Sequence, residues 1–485
     1  MARGSVTLVN TNDMKPLVAP LALDYLGACL VEAGWRVEVL DLALADDVGD
    51  AVARHFADRN PVAVAVTVRN TDDCYFASQR SCLPGVRDMV KQIKGHTDAA
   101  LILGGCGFSL MPEAIMTYCD VPYGIQGDGE VALPRMLEAI AAGDAPDRVP
   151  GAVYRRGDGF VRVSPEPPPL EELPLARRDT IDNERYFREG GMAGFETKRG
   201  CNRMCTYCAD PVIKGRQLRL RPPASVADEV ATLLRKAITH FHTCDSEFNV
   251  SYEHALAVCQ ELVSRGLGPK IRWYAYATPK PFTDELANLM KRAGCVGINF
   301  GVDHGSERIL RVLGRDFGPD DLRQTARICR RHDIVFMYDL LLGAPGETRE
   351  TVAETIELMR EVAPARVGVA AGVRIYPGTR MARMIEEMTP VARWALYGVI
   401  RDNDSFAFPL FYVAPTLGPG IYNHIARLVG DDERFFLPGG RKAERDYDYS
   451  DNELLVQAIK DGERGAFWDI LRRLAEAGER VEGEA

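Results

Sequence analysis

Over the first third of the chain, short apolar runs alternate with amphipathic ones. Residues 6–9 read as a strand, after which Leu21, Tyr25, Leu26, Cys29 and Leu30 recur on one helical stripe that Gly34 ends. Strands are expected again at 37–40, 62–68 and 99–105, with helices around 48–56, 85–94 and 130–142. These strands are β-branched and apolar on both faces, which predicts a parallel sheet covered by helices across residues 1–145. Ligands of such sheets sit at the carboxyl ends of strands. The loops there carry small or polar residues: 10–14, then Arg69, Asn70 and Thr71, then Gly104 and Gly105, then Gly127, Gly129 and Glu130.

Residues 146–190 are rich in Asp, Pro, Gly and Arg and read as a linker with a small hairpin around 157–159. A second alternation covers 191–382. Strands beginning near 194, 239, 271, 296, 335 and 367 alternate with helices near 225–237, 251–265, 283–292, 321–331 and 349–361. Six βα units predict a barrel-like parallel sheet open on one side; a complete eight-stranded barrel is the other option, but the pattern stops near Thr379. Residues 383–485 form a smaller, α-rich C-terminal region. Its stretch 401–417, with Phe406, Phe408, Phe411 and Tyr412, reads as a lid over a pocket or as a packing loop.

Composition narrows the class. The 485 residues suggest two or three domains. A net charge of −10 disfavours nucleic acid and anionic membrane as partners, and no apolar run is long enough for a signal peptide or membrane span. The chain reads as a cytoplasmic monomer. Its twelve cysteines are scattered rather than packed as in a disulfide-stapled domain.

One cysteine group stands apart. In "TKRGCNRMCTYCAD", Cys201, Cys205 and Cys208 form a C-x3-C-x2-C array on a loop after a strand. Structural zinc wants a fourth ligand, for which His240 and His242 on the next strand are the nearest histidines. Three thiolates also hold a [4Fe–4S] cluster with one iron open to an external chelator. Arg272, charged on a strand, is a candidate contact of a bound carboxylate. The cations of 198–221 form a basic run that would suit an acidic electron donor or a solvated rim.

The array, with Tyr207 before its third cysteine and six βα units around it, resembles the radical S-adenosylmethionine (SAM) superfamily. The resemblance implies that the cysteines are the catalytic cluster ligands, that the open iron chelates SAM, and that the bound cofactor supplies a deoxyadenosyl radical. It implies a flavodoxin- or ferredoxin-type electron donor. It also implies SAM contacts from Tyr207, from Glu247 in "CDSEF", and from Tyr376 in "RIYPGT". In "GVDHGSERIL", Asp303 and His304 stand where the family has Glu and Ser. The strand before "LLGAPGET" brings Tyr338 or Asp339 toward the cavity.

The first domain, in "APLALDYLGACLVEAGWRVEVLD", "LILGG" and "GIQGDGE", resembles the cobalamin-binding domain of the B12-dependent members of that superfamily. This implies a Rossmann-like cobalamin domain, a partial (β/α)6 barrel and a small C-terminal domain that shapes the substrate pocket. The D-x-H-x-x-G motif of many cobalamin proteins is missing, as it is in several members of the radical SAM group, and Arg69 would neighbour the cobalt's lower face without ligating it. The implied activity is methyl transfer from methylcobalamin to an unactivated carbon of a small molecule after hydrogen abstraction. The alternatives are a non-methylating cyclisation, ring rearrangement or oxidation, and a non-catalytic carrier.

Overall fold

The computed structural model describes residues 3–387, 394–403, 405–438 and 445–483. The first domain contains β1 (Ser5–Asn10), β2 (Arg36–Asp41), β3 (Ala63–Thr67), β4 (Ala100–Gly104) and β5 (Tyr123–Ile125), which pair in parallel in the order β2-β1-β3-β4-β5. The hairpin expected inside the linker belongs to this sheet. β6 (Ala152–Arg156) pairs antiparallel with β5, and β7 (Gly159–Arg162) with β6. Its attachment covers the backbone groups that the three-residue β5 would leave open at an edge.

The second sheet begins with β8 (Ala193–Phe195). A two-stranded ribbon, β9 (Lys198–Arg199) and β10 (Arg219–Leu220), brackets the cysteine loop. The sheet continues with β11 (His240–Thr243), β12 (Arg272–Ala277), β13 (Cys295–Asp303), β14 (Val335–Leu342) and β15 (Arg366–Ala371), all parallel. Alternation along these strands divides the side chains. Phe241, Trp273, Phe300, Tyr338 and Val367 pack outward into the helical layer, while His242, Tyr276, Asn299, Asp339 and Gly368 face the interior.

The C-terminal region seals this open barrel. After β16 (Val373–Arg374), β17 (Leu396–Gly398) and β18 (Leu410–Tyr412) complete a three-stranded antiparallel sheet with it. The stretch 401–417, apart from residue 404, which lies outside the described residues, is a packing segment rather than a lid. Phe411 is fully buried, and Phe408 meets Tyr118 of the first domain edge to face at 5.3 Å. β19 (Phe435–Phe436) adds a seventh parallel strand beside β15. Trp468, Ile470 and Leu471 then pack with Tyr274 and Met337, closing the interior at that level. Among the described residues no helix is long and apolar enough to cross a membrane.

The domains are clasped by buried ions. Arg178, wholly buried, lies 3.2 Å from Asp24 of the first domain and 2.9 Å from Glu229 of the barrel's first helix. Glu229 also accepts from Arg221 and from Tyr25 at 3.1 Å, and Asp24 takes three further donors, from Thr180, Ile181 and Asn183.

Candidate active site

The backbone shapes the cysteine loop. Cys201 N–H donates to Gly215 O at 3.0 Å, and Gly200 has φ +91°, with the Gln217 carbonyl occupying the space of a Cβ. Farther on, Thr206 N–H reaches Leu313 O at 2.9 Å. Three thiols therefore share one pinned turn. Burial raises all of their pKa values, that of Cys205 to about 12, so a bound metal must displace their protons. The two histidines considered for zinc are engaged elsewhere: His240 stacks on Phe187, and His242 lies edge-on to Tyr276 at 4.9 Å. Among the described residues no three His, Cys, Asp or Glu side chains converge on one ion-sized point.

Beside the loop, Tyr207 donates to both oxygens of Asp303 at 2.8 Å. Arg315 joins Asp303 at 2.5 Å to Glu247 at 3.2 Å, leaving Glu247 Oε2 buried without a hydrogen bond. The sequence motifs miss Arg315. Its only signal is that two carboxylates on neighbouring strand ends need a buried cation. His304, standing where the family has Ser, pairs with Glu347 at 3.1 Å, and Glu347 accepts from the N–H groups of Gly343 and Ala344.

The first domain's loop after β3 reaches the barrel. Arg374 donates twice to Asp72 at 2.8 and 3.0 Å, and the Tyr376 hydroxyl lies 3.0 Å from Cys74 Sγ. Thr71 bonds its neighbour Asp72, and Asn70 contacts Met14 Sδ. The Arg69 guanidinium makes no hydrogen bond or ion pair with a described residue. It is accessible yet deep in the molecule, with the Cys244, Cys106 and Cys82 thiols as its nearest charge neighbours. Cys74, Cys106, Cys244 and Tyr276 are likewise accessible although enclosed between the domains. Their surfaces define an internal cavity at the carboxyl ends of both sheets. A planar macrocycle fits there on the donor set: Gly104 is open, with no atom nearer than 3.9 Å to a Cβ, and no first-domain imidazole points in. His55 bonds Thr7, and His96 bonds Gln92 O.

Several expected residues lie elsewhere. Tyr338 is on the outer face of β14, where its hydroxyl donates to Leu322 O at 2.7 Å, so Asp339 is the residue that faces inward. Arg272 opens β12 at its amino end, about 13 Å of strand short of Tyr276, and caps local carbonyls. Glu130 is spent on Arg199 at 2.6 Å. Gly127 and Gly129 meet Pro165 and Leu26 rather than the cavity loops. The basic run is largely neutralised: Lys198 pairs with Asp245, Arg203 with Asp316, Lys214 with Asp210, Arg219 with Asp128 and Arg221 with Glu229.

Further along the interior, consecutive strands present His242, Tyr276, Asn299, Asp339 and Gly368 in one arc. Tyr276 is 42% exposed although it faces inward, so the arc borders open space. Tyr75 from the first domain and Tyr447 and Tyr449 from the C-terminal region roof it. Tyr447 donates to Asp339 at 2.5 Å, and Tyr75 to Tyr447 O at 2.6 Å. Burial raises Asp339 to about pKa 7.

Comparison with known proteins agrees with this division of labour. Residues 195–359 match the radical SAM superfamily and residues 8–137 the B12-binding domain. The tryptophan 2-C-methyltransferase of Streptomyces laurentii is 30% identical, with 96% of each chain covered. The structure of the radical SAM methyltransferase TsrM from Kitasatospora setae with tryptophan substrate and a SAM analogue superposes at TM-score 0.91, with 33% identity over 99% of this chain and 100% of that one. The same enzyme with cobalamin and a [4Fe–4S] cluster superposes at 0.89, with 32% identity over the full length of both chains. With a B12-binding domain, a three-cysteine loop and a methyltransferase relative along nearly its whole length, the chain belongs to the cobalamin-dependent radical SAM methyltransferases.

Proposed function

We propose that this enzyme moves a methyl group onto a ring carbon of tryptophan or a close indole amino acid. The observation that carries the reading is the near-complete superposition on TsrM with tryptophan bound, in a chain whose own cavity is walled by tyrosines. Cys201, Cys205 and Cys208 would hold the cluster, with Tyr207, Glu247, Asp303 and Tyr376 around SAM. Arg69, Asn70 and Gly104 would face the corrin. When bound, cobalamin supplies a transferable methyl group, and the cluster supplies an electron and an open iron.

The chain's own part is placement. The Asp72–Arg374 and Cys74–Tyr376 contacts hold the β3 loop against the barrel, so both cofactor regions keep one spacing. The aromatic roof excludes water from the interior. A flavodoxin- or ferredoxin-type donor, a monomeric chain and a reducing cytoplasm complete the reading. The last is supported by twelve cysteines, all of them free.

The test is anaerobic reconstitution with iron, sulfide and cobalamin, followed by incubation with methyl-labelled SAM and tryptophan. Label in an indole product is expected; its absence with fully loaded enzyme refutes the substrate. Deoxyadenosine released in step with product supports hydrogen abstraction. Product without it assigns a polar transfer, which an electron-rich indole carbon permits.

A further inference from the structure

The interior arc holds an enclosed, half-buried carboxyl without a counter-charge among the described residues. Asp339 faces inward from β14 and takes hydrogen bonds from the Tyr447 hydroxyl and the Asn299 amide, yet among the described residues no Lys, Arg or His pairs with it. The titratable groups facing it are the phenols of Tyr447, Tyr449, Tyr75 and Tyr276 and the carboxyl of Asp303. Beyond Tyr276 lie His242, which burial keeps neutral, and the Arg69 guanidinium, neither of which pairs with Asp339. None of the groups that act on Asp339 directly is a cation. Asp24, Glu229, Asp245 and Asp303 are each paired with a cation. Asp41, held like Asp339 by a tyrosine hydroxyl and an asparagine amide, forms no ion pair among the described residues but already has all its donors from the chain. An ionised carboxylate left alone in low dielectric is costly, so a partner from outside the chain is the economical solution.

Two further polar atoms point the same way. Asn299 is only 4% exposed and gives its amide to Tyr276 and Asp339, which leaves its Oδ1 with no partner. The buried Tyr449 hydroxyl also has none. Beside the Asp339 carboxyl, the wall therefore holds two unfilled acceptors among the described residues, Asn299 Oδ1 and Tyr449 Oη, both covered in the ligand-free chain. An ammonium group carries three donors and the missing positive charge.

We propose that Asp339, with Asn299 and Tyr449, receives the α-ammonium group of the substrate, so that this enzyme selects an amine-bearing molecule and rejects its deaminated counterpart. The inference rests on the indole amino acid reading above and names the part of the chain that enforces it. Asp339 is then a binding residue that fixes the substrate's orientation, and the ring to be methylated extends from it past Tyr276.

The test measures equilibrium binding of tryptophan, tryptamine and indole-3-propionate to reconstituted enzyme, beside the labelled-SAM assay. Wild type should bind both amines and should bind indole-3-propionate at least 30-fold more weakly than tryptophan. D339N should weaken tryptophan binding at least tenfold and shift indole-3-propionate less than threefold; D339E should restore part of the preference. Tryptophan affinity in wild type should fall as pH drops from 8 to 6, because the carboxylate is neutralised while the ammonium is not. Indole-3-propionate affinity should not follow that course. Iron and cobalamin content report whether each variant is folded, and the pH series on wild type decides the matter should D339N fail to load.

Equal binding of tryptophan and indole-3-propionate by wild type overturns the inference, and so does an equal loss of both in D339N. A fall in kcat with unchanged KM also overturns it, making Asp339 a proton acceptor instead. Discrimination without any methylated product leaves the ammonium site standing and removes the proposed reaction. Product formed without discrimination does the reverse. Failure to bind all three ligands removes both.

Discussion

Two buried polar regions of this molecule use similar residue types and end in opposite states. In the clasp between the domains, Arg178, Arg221, Asp24 and Glu229 balance charge for charge, and Tyr25 and Asn183 take up bonds that remain. In the barrel interior, Asp339 has no cation, and Asn299 Oδ1 and Tyr449 Oη no hydrogen-bond donor, among the described residues. Both regions are desolvated; the clasp leaves Arg178 Nε, 3.2 Å from Asp24, outside hydrogen-bond geometry, so the difference lies in charge balance. A closed network fixes one geometry, and an open one waits for a ligand's donors. Buried polarity alone does not mark a site.

The sharpest way to break the comparison is Glu229→Gln. The shape is kept and one charge removed, which leaves Arg178 and Arg221 sharing a single buried carboxylate. Loss of one member of such a set costs about 3–5 kcal/mol. The denaturation midpoint should fall steeply, while bound iron per folded molecule stays unchanged. A midpoint within error of wild type would show that the clasp is not closed in the way described.

The same contrast explains what the sequence could and could not reveal. Both domains were legible because strands buried on two faces read as continuous apolar runs, and "VAVAVTV" and "LILGG" admit little else. The hairpin 152–162 was visible but not its attachment to β5, since pairing of a sheet edge leaves no local signal. The cysteine loop was legible because thiol spacing is a local property. Arg315 and the Asp339 arc were not, because they depend on strand register: one position along β14 separates an outward Tyr338 from an inward Asp339. The basic run 198–221 misled because most of its partners, Asp128, Asp245 and Asp316, are distant in sequence. Tyr447 and Tyr449, more than a hundred residues from the strand they roof, gave no sign at all.

A middle-sized effect is expected at Gly368, opposite Asp339 in the register of β15. A Cβ there would overlap Met337 Cε, the Tyr447 ring and Asp339 Oδ1. Gly368→Ala should cost about 1–3 kcal/mol from overpacking. It should also push Asp339 and Tyr447 apart, so tryptophan affinity falls further than that of indole-3-propionate. If the two ligands weaken equally, the carboxyl is not what the glycine makes room for.

The smallest effect on stability is the most telling, and it belongs to Tyr449→Phe. The Tyr449 ring packs edge-on against Tyr447 at 5.8 Å and Phe467 at 5.9 Å, so phenylalanine preserves the packing. The hydroxyl it removes is buried without a partner, and an unmet polar group is a cost to the ligand-free fold. Unfolding free energy should therefore stay level or rise by up to about 1 kcal/mol. Tryptophan affinity should drop by about ten- to a hundredfold, the worth of one hydrogen bond to a charged donor. Stability and binding thus move in opposite directions at one atom, whereas at Glu229 the fold gives way and the pocket is only its bystander. A Tyr449→Phe enzyme that lost stability and kept its affinity would place that hydroxyl with the clasp, as structure, and not with the substrate.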